Sequence, residues 1–196
     1  TDYTYDALNH PATVVKAADQ SLSATTQTVY DAVGNLRAVT DPRDAFYTTT
    51  YDYYDNNWLK SESGPAGTPI NPQNYQIIYT YDDAGNLLAQ SDPRNPSWLT
   101  QFTYDAASRR TSATDPLDQT TAYRYDEVGN RTSVIDPRGG GDATNGAFAT
   151  QYGYDGLNRV ISVTAAPYTD NFGPASTPAT TYFVYDAVGN LLKTVG

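Results

Sequence analysis

Short stretches of alternating character recur along the chain. An aromatic residue stands two places before a tyrosine at Tyr3 and Tyr5, Tyr51 and Tyr53, Tyr79 and Tyr81, Phe102 and Tyr104, Tyr123 and Tyr125, and Tyr152 and Tyr154. A spacing of two puts both rings on one face of a strand. Seven Tyr-Asp pairs open the same local pattern, starting at Tyr5, Tyr30, Tyr81, Tyr104, Tyr125, Tyr154 and Tyr185. An eighth, degenerate copy starts at Tyr53, where Tyr54 stands in place of the aspartate. Four residues after each of these tyrosines come Asn9, Gly34, Asn57, Gly85, Ser108, Gly129, Asn158 and Gly189. Gly and Asn tolerate a left-handed backbone best. An aspartate followed three residues later by such a residue predicts a type I turn that closes into a G1 bulge, a common hairpin connection. The aspartate side chain can accept backbone N–H bonds within that turn. Ser108 is the exception and predicts a strained turn or a different one.

An apolar residue often opens the outgoing segment two places after the turn, as at Leu36, Leu59, Leu87, Val160 and Leu191. Eleven residues after the tyrosine, Asp41-Pro42, Asp92-Pro93, Asp115-Pro116 and Asp136-Pro137 mark the strand end, and Gly64-Pro65 holds the same place in the third unit. Proline has no N–H to give a ladder. Each unit therefore reads as strand, tight turn, strand and Pro-marked loop. Successive units are 25, 23, 28, 23, 21, 29 and 31 residues apart, so a unit of 21 residues carries insertions of varying length. The predicted fold is all-β: one array, residues 1–196, of eight antiparallel hairpins starting near 5, 30, 53, 81, 104, 125, 154 and 185. About sixteen strands at ~4.8 Å each give a sheet on the order of 75 Å long, which twists and must curl, spiral or close. A lone hairpin is marginal, so stability is expected from stacking on neighbours. The two outer strands would be open edges, which predicts self-association through them.

Composition narrows the function. Tyr occurs 18 times against 5 Phe, which suits a pleated, half-buried surface. The net charge is −10, with no basic stripe for phosphate, so nucleic acid is not an expected partner. There is no Cys and a single histidine, His10, so disulfides and thiolate zinc sites are excluded and no cofactor is expected. His10 occupies the residue after the turn position, where other units have Asn35, Asn86, Arg109 or Asn130. A position filled by interchangeable polar residues is a poor place for a catalytic base. Gly139-Gly140-Gly141-Asp142 resembles part of a calcium-binding nonapeptide, but the turn already accounts for the repeated aspartates, and no metal site is assigned. Arg43, Arg94 and Arg138 follow three of the Asp-Pro pairs and are expected to pair with nearby aspartates. No apolar run approaches the roughly 18 residues that span a bilayer. The chain opens on Thr1 and contains no Met, which reads as part of a larger protein.

Stretches such as YDAVGNLRAVTDPR, YDDAGNLLAQSDPR and YDEVGNRTSVIDPR resemble the repeat of the RHS/YD-repeat family, which includes bacterial Rhs and wall-associated toxins, the C component of Tc toxin complexes and the animal teneurins. The resemblance covers essentially the whole chain. It implies a long sheet that spirals into a hollow β-shell, enclosing a variable C-terminal toxin domain in the toxins and carrying adhesion domains in teneurins. On that basis the chain is expected to be a non-catalytic stretch of shell, secreted or on a bacterial cell surface, with flanking repeats and an enclosed toxin domain of the same polypeptide as partners. The alternative is an adhesion or carbohydrate-binding module. It would use Tyr3, Tyr51, Tyr79, Tyr123 and Tyr152 as an exposed stacking row, or the Gly-, Pro- and Asn-rich insertions at 64–74, 139–146 and 167–178, expected as rim loops.

Overall fold

The structure, a computed structural model, describes residues 1–19, 22–42, 45–65, 74–142, 148–166 and 177–196. It is all-β. The strands are β1 (Asp2–Tyr5), β2 (Pro11–Asp19), β3 (Leu22–Tyr30), β4 (Leu36–Thr40), β5 (Thr48–Tyr53), β6 (Leu59–Pro65), β7 (Asn74–Tyr81) and β8 (Leu87–Asp92). They continue with β9 (Asn95–Tyr104), β10 (Arg110–Thr114), β11 (Thr120–Tyr125), β12 (Arg131–Ile135), β13 (Ala149–Tyr154), β14 (Val160–Thr164), β15 (Thr180–Tyr185) and β16 (Leu191–Val195). These sixteen strands form one open sheet in chain order, β1 through β16. Packing divides the chain into two compact units, Thr1–Leu99 and Thr100–Gly196.

All eight turns form as the spacing predicts. In the second, the Gly34 N–H donates to the Asp31 carbonyl at 3.1 Å and the Asp31 N–H to the Asn35 carbonyl at 2.9 Å. The residue three after the turn start is left-handed in every copy, from φ 58° at Ser108 to φ 99° at Gly129. Of the two alternatives at Ser108 the different turn is not taken: the geometry is the same, with its N–H 3.0 Å from the Asp105 carbonyl. Backbone bonds of the turn outweigh the strain of an L-residue in that region, which costs roughly 1–2 kcal/mol. Ser108→Gly is therefore expected to stabilise the chain by about 1 kcal/mol once the larger entropy of an unfolded glycine is subtracted. Denaturant unfolding checks this, and an unchanged or lower midpoint would contradict it.

A second irregularity has no counterpart in the sequence pattern. One residue of each outgoing strand is extra to the pairing: Tyr30 faces Leu36 and Val29 faces Ala38, leaving Arg37 over. The same slip leaves out Ala12, Lys60, Leu88, Thr111, Thr132, Ile161 and Leu192, each seven residues after its tyrosine. Such bulges bend the strand that carries them and add right-handed twist. Between hairpins the register repeats as well. The residue eight after one tyrosine faces the residue three before the next, as in Thr13 with Gln27, Ala38 with Thr50, Ser61 with Ile78, Ser112 with Ala122, Ser133 with Gln151 and Ser162 with Tyr182. Threonine hydroxyls join across three of these junctions, Thr40 with Thr48, Thr114 with Thr120 and Thr164 with Thr180, each at 2.9 Å.

Among the described residues the buried apolar core is small. Ala122, Ile135 and Ala149 face one another across β11, β12 and β13, with Phe148 beside them. A 3-10 turn, Pro137–Gly139, lies against β11. Asp136 caps that turn, and Gly139, its last residue, is buried. The insertion at 139–146 was expected as a surface loop, yet its first residue is part of the covered interior. Residues 143–147 lie outside the described chain, as do 66–73 and 167–176 of the other two insertions. Gly64 and Pro65 are the last residues of β6, Asn74 the first of β7.

The Asp-Pro pairs end their strands as predicted and also do something further. Asp115 begins another copy of the same turn, with Asp118 left-handed at φ 59° and the Leu117 and Gln119 N–H groups each 2.9 Å from the Asp115 carboxylate. Proline at the second place of a type I turn is already held near the required φ.

Candidate functional site

The chemistry of the chain is concentrated at the turn ends of the hairpins. One oxygen of the turn aspartate accepts two backbone N–H groups, as at Asp31 from Val33 at 3.0 Å and Asn35 at 2.8 Å. The other oxygen accepts from the side chain of the residue after the turn. Asn35, Asn86, Asn130 and Asn190 do this with their amides at 2.8–3.0 Å, Arg109 and Arg159 with Nε at 2.7 Å, and His10 with Nδ1 at 3.0 Å. The position that seemed interchangeable is thus a donor that clamps the aspartate. In the third hairpin, Tyr54 and Trp58 replace this pair and the backbone turn persists, with the Tyr54 N–H 2.9 Å from the Trp58 carbonyl.

These hydrogen bonds favour the charged carboxylate. Backbone donation from His10, Arg109 and Arg159 lowers the pKa of Asp6, Asp105 and Asp155. The Asn86 and Asn190 amides do the same for Asp82 and Asp186. At Asp31 and Asp126, desolvation pushes upward but the asparagine bonds prevail. Asp92 falls to about 2 beside the Arg94 guanidinium, and Arg138 lowers Asp136 likewise. Arg94 and Arg138 therefore pair with the nearby aspartates as expected, while Arg43 lies outside the described residues. A carboxylate lowered in the folded state leaves the unfolded chain binding more protons in acid. Its stabilisation is complete above about pH 4 and is lost as pH falls through the folded values. The melting temperature should hold between pH 7 and 5 and drop below about pH 4. A melting temperature still constant at pH 2.5 would contradict this.

The residue after the turn also reaches the next hairpin. The His10 ring lies 4.7 Å from the Tyr30 ring and Trp58 5.3 Å from Tyr81. The Arg109 guanidinium sits 5.0 Å over Tyr125, and that of Arg159 4.8 Å over Tyr185. Asn35 instead donates to the Asn57 side chain, and Asn130 to Asn158, both at 2.9 Å. The large groups precede a turn with glycine, at Gly34, Gly85, Gly129 and Gly189; these two asparagines precede a turn with asparagine. Space explains part of this pairing, since a Cβ on Gly85 would lie 2.8 Å from Trp58 and one on Gly34 3.2 Å from His10. The tyrosine hydroxyl points the other way. Tyr53, Tyr125, Tyr154 and Tyr185 each donate at 2.9 Å to the first residue of the preceding outgoing strand, Leu36, Arg110, Arg131 and Val160.

The five tyrosines predicted as a stacking row do not share one environment. Tyr3 is 54% exposed on β1. Tyr51 and Tyr79 are half-buried, and desolvation raises the pKa of both. Tyr123 lies between Arg110 at 5.1 Å and Arg131 at 5.8 Å, and Arg131 also covers Tyr152 at 5.6 Å. The aromatic feature that sequence reasoning missed is an open cleft at the degenerate hairpin, where Tyr54, Trp58 and Tyr81 meet Asp55, Asp82 and Asp83. Its signal was the loss of the turn aspartate at Tyr54 together with a tryptophan at the clamp position.

Residues 81–120 and 104–140 match the RHS Repeat family. Residues 81–140 carry RHS repeats. The turn, clamp and register found within the matched segment recur in the hairpins on both sides of it. Among curated proteins none matches the sequence. Solved structures share the fold: TcdB2-TccC3, at 21% identity and TM-score 0.70, is covered over 97% of this chain and 11% of its own. TcdB2-TccC3 without its hypervariable C-terminal region is similar at 24% identity and TM-score 0.66, over 89% of this chain and 9% of that one. The Photorhabdus luminescens Tc holotoxin pore is similar at 24% identity and TM-score 0.65, over 88% and 9%. This chain thus spans about a tenth of each of those chains.

Proposed function

We propose that this RHS-repeat chain is a stretch of structural wall in a shell that encloses or presents a toxin or effector domain of the same polypeptide. The observation that carries the reading is the uniform junction between hairpins. Register, tyrosine hydroxyl and clamp residue all face the neighbouring hairpin, so the array is built to grow one hairpin at a time in one direction. A bulge at the same place in every outgoing strand supports bending in one sense, as a wall that curls around a volume requires. The likeness in fold to TcdB2-TccC3 and to the Tc holotoxin pore favours the same reading. The wall works by exclusion, hiding its cargo until release, and does no chemistry itself. Its setting is the secreted or cell-surface one in which such cargo is delivered, with flanking repeats as immediate partners. In the full polypeptide, the domain beyond the repeats should withstand a protease that digests the same domain expressed alone. Equal digestion would overturn the proposal.

A second reading, glycan binding, is favoured by one observation, the cleft of Tyr54, Trp58 and Tyr81 beside three aspartates. Aromatic faces next to carboxylates suit a sugar ring, with stacking below and hydroxyl donors at the side. The stacking row proposed along Tyr3, Tyr51, Tyr79, Tyr123 and Tyr152 is less suited, because arginines cover Tyr123 and Tyr152. Trp58 fluorescence in a Trp98→Phe background should shift with a bound saccharide; a flat response across a broad glycan panel would remove this reading.

A further inference from the structure

The third hairpin breaks the chemistry that other turn ends repeat. In the fifth and seventh hairpins, Asp105 and Asp155 hold Arg109 and Arg159 at 2.7 Å, and each guanidinium lies over the next tyrosine, at 5.0 and 4.8 Å. A carboxylate and an aromatic face enclose a cation there, which is attractive because the face of the ring is negative. In the third hairpin Tyr54 and Trp58 fill the two places, and the clamp carries no positive charge. The acid remains. Asp55, Asp82 and Asp83 line the cleft that Tyr54, Trp58 and Tyr81 form, whose volume is about 550 Å³. That is room for a small ligand.

The turns do not call for two of these carboxylates. Asp82 opens its turn and accepts from the Ala84 N–H and from the Asn86 N–H and amide, at 2.9–3.0 Å. Asp55 and Asp83 stand one place further on, and both are exposed. That place needs no acid: it holds Ala7, Ala32, Ala106, Gly156 and Ala187 in five hairpins whose turns have the same backbone bonds. Each of the two hairpins that form the cleft thus adds an aspartate where the fold asks for none. The rings between them are fixed at angles to one another. Tyr54 meets Tyr81 edge to face at 6.3 Å, and Trp58 is tilted 48° to Tyr81 at 5.3 Å. The Tyr54 hydroxyl donates to the Tyr79 carbonyl at 3.0 Å. The Lys60 ammonium, from outside the cleft lining, already stands 5.8 Å from the centroid of the Tyr54 ring.

We propose that this cleft binds an amino sugar with a free ammonium group, the sugar ring on the aromatic faces and the ammonium between Asp55 and Asp83. Stacking alone suits any sugar. The carboxylates choose its charge, and a chain of net charge −10 repels acidic sugars and draws a cationic one. The inference rests on the reading of this cleft as a sugar site and adds the class of sugar. It is independent of the reading of the chain as a shell wall.

The test is the Trp58 fluorescence of the 196-residue chain carrying Trp98→Phe, titrated with a glucosamine oligosaccharide, its N-acetylated counterpart and choline. The first has ring and charge, the second the ring without the charge, and choline the charge without the ring. The glucosamine oligosaccharide should bind roughly tenfold tighter than either of the others, and its margin should shrink with added salt. Asp55→Asn together with Asp83→Asn should reduce its margin over the acetylated sugar to about twofold or less. A melting temperature like that of the parent shows that the double variant folds, and the comparison of the two sugars stands without it. Equal binding of the two sugars would overturn the proposal and leave the cleft a sugar site. Binding of neither sugar would remove the sugar reading with it. Choline as tight as the glucosamine oligosaccharide, or a margin that survives in the double variant, would also overturn the proposal.

Discussion

Ile135→Ala is expected to destabilise the second compact unit, Thr100–Gly196, by about 2–5 kcal/mol, the range for emptying a buried aliphatic site. Ile135 is 1% exposed, and among the described residues it is the one large side chain buried so completely. Ala122 and Ala149 offer no relief, because alanines cannot extend into the space. Both flanking residues, Ala122 and Ala149, are held at fixed register on either side. The 3-10 turn that follows Ile135 is fixed by the Asp136 cap and by the Asp136 N–H, 3.1 Å from the Phe148 carbonyl. Little can move to fill the gap. Ile161, a bulge residue 37% exposed, offers the comparison. Ile161→Ala should cost about 1 kcal/mol or less, since part of its surface stays in water either way. Denaturant unfolding followed on the second unit would separate the two; equal losses would show that Ile135 is not the core of its unit.

The second large effect lies at Gly85. Gly85→Ala should cost about 2–4 kcal/mol and Gly129→Ala about 1–2 kcal/mol, though both glycines hold the same turn position. Their backbones are alike, at φ 87° and 99°. An added Cβ on Gly85 lies 2.8 Å from the Trp58 ring, whereas one on Gly129 has nothing within 4 Å. The difference between the two variants therefore measures contact between neighbouring turns, with the strain of the left-handed backbone cancelled. Adding Trp58→Asn to Gly85→Ala should recover the excess, because an asparagine at the clamp position already precedes non-glycine turns at Asn57 and Asn158. Equal costs at Gly85 and Gly129 would mean that turns do not sense one another.

The hairpins were legible because their determinants are local. Left-handed backbone requires Gly or Asn at one place, aspartate starts the turn, and proline ends the strand, so eight registered copies reveal the meander. The bulge was not legible. Its residues run from Ala12 through Arg37 and Thr111 to Leu192, with no chemistry in common, because the backbone alone makes it. The clamp was half-legible. His10, Asn35 and Arg109 looked interchangeable, and what they share with Trp58, a side-chain donor or ring aimed at the next turn, appears only when hairpins are neighbours in space. Alternation put the tyrosines on one face without saying what lies over them; arginines from adjacent strands lie over Tyr123 and Tyr152. Ile135 stood out in nothing but its neighbours, two alanines on the strands to either side of it.

The role proposed for these hairpins is that of wall. Electron cryomicroscopy of the full polypeptide that carries them tests it most directly. The expected result is a hollow shell in which this array is a continuous part of the wall, turn ends aligned, with the effector domain's density inside. An extended array beside an unenclosed domain, with no cavity bounded by the repeats, would contradict it.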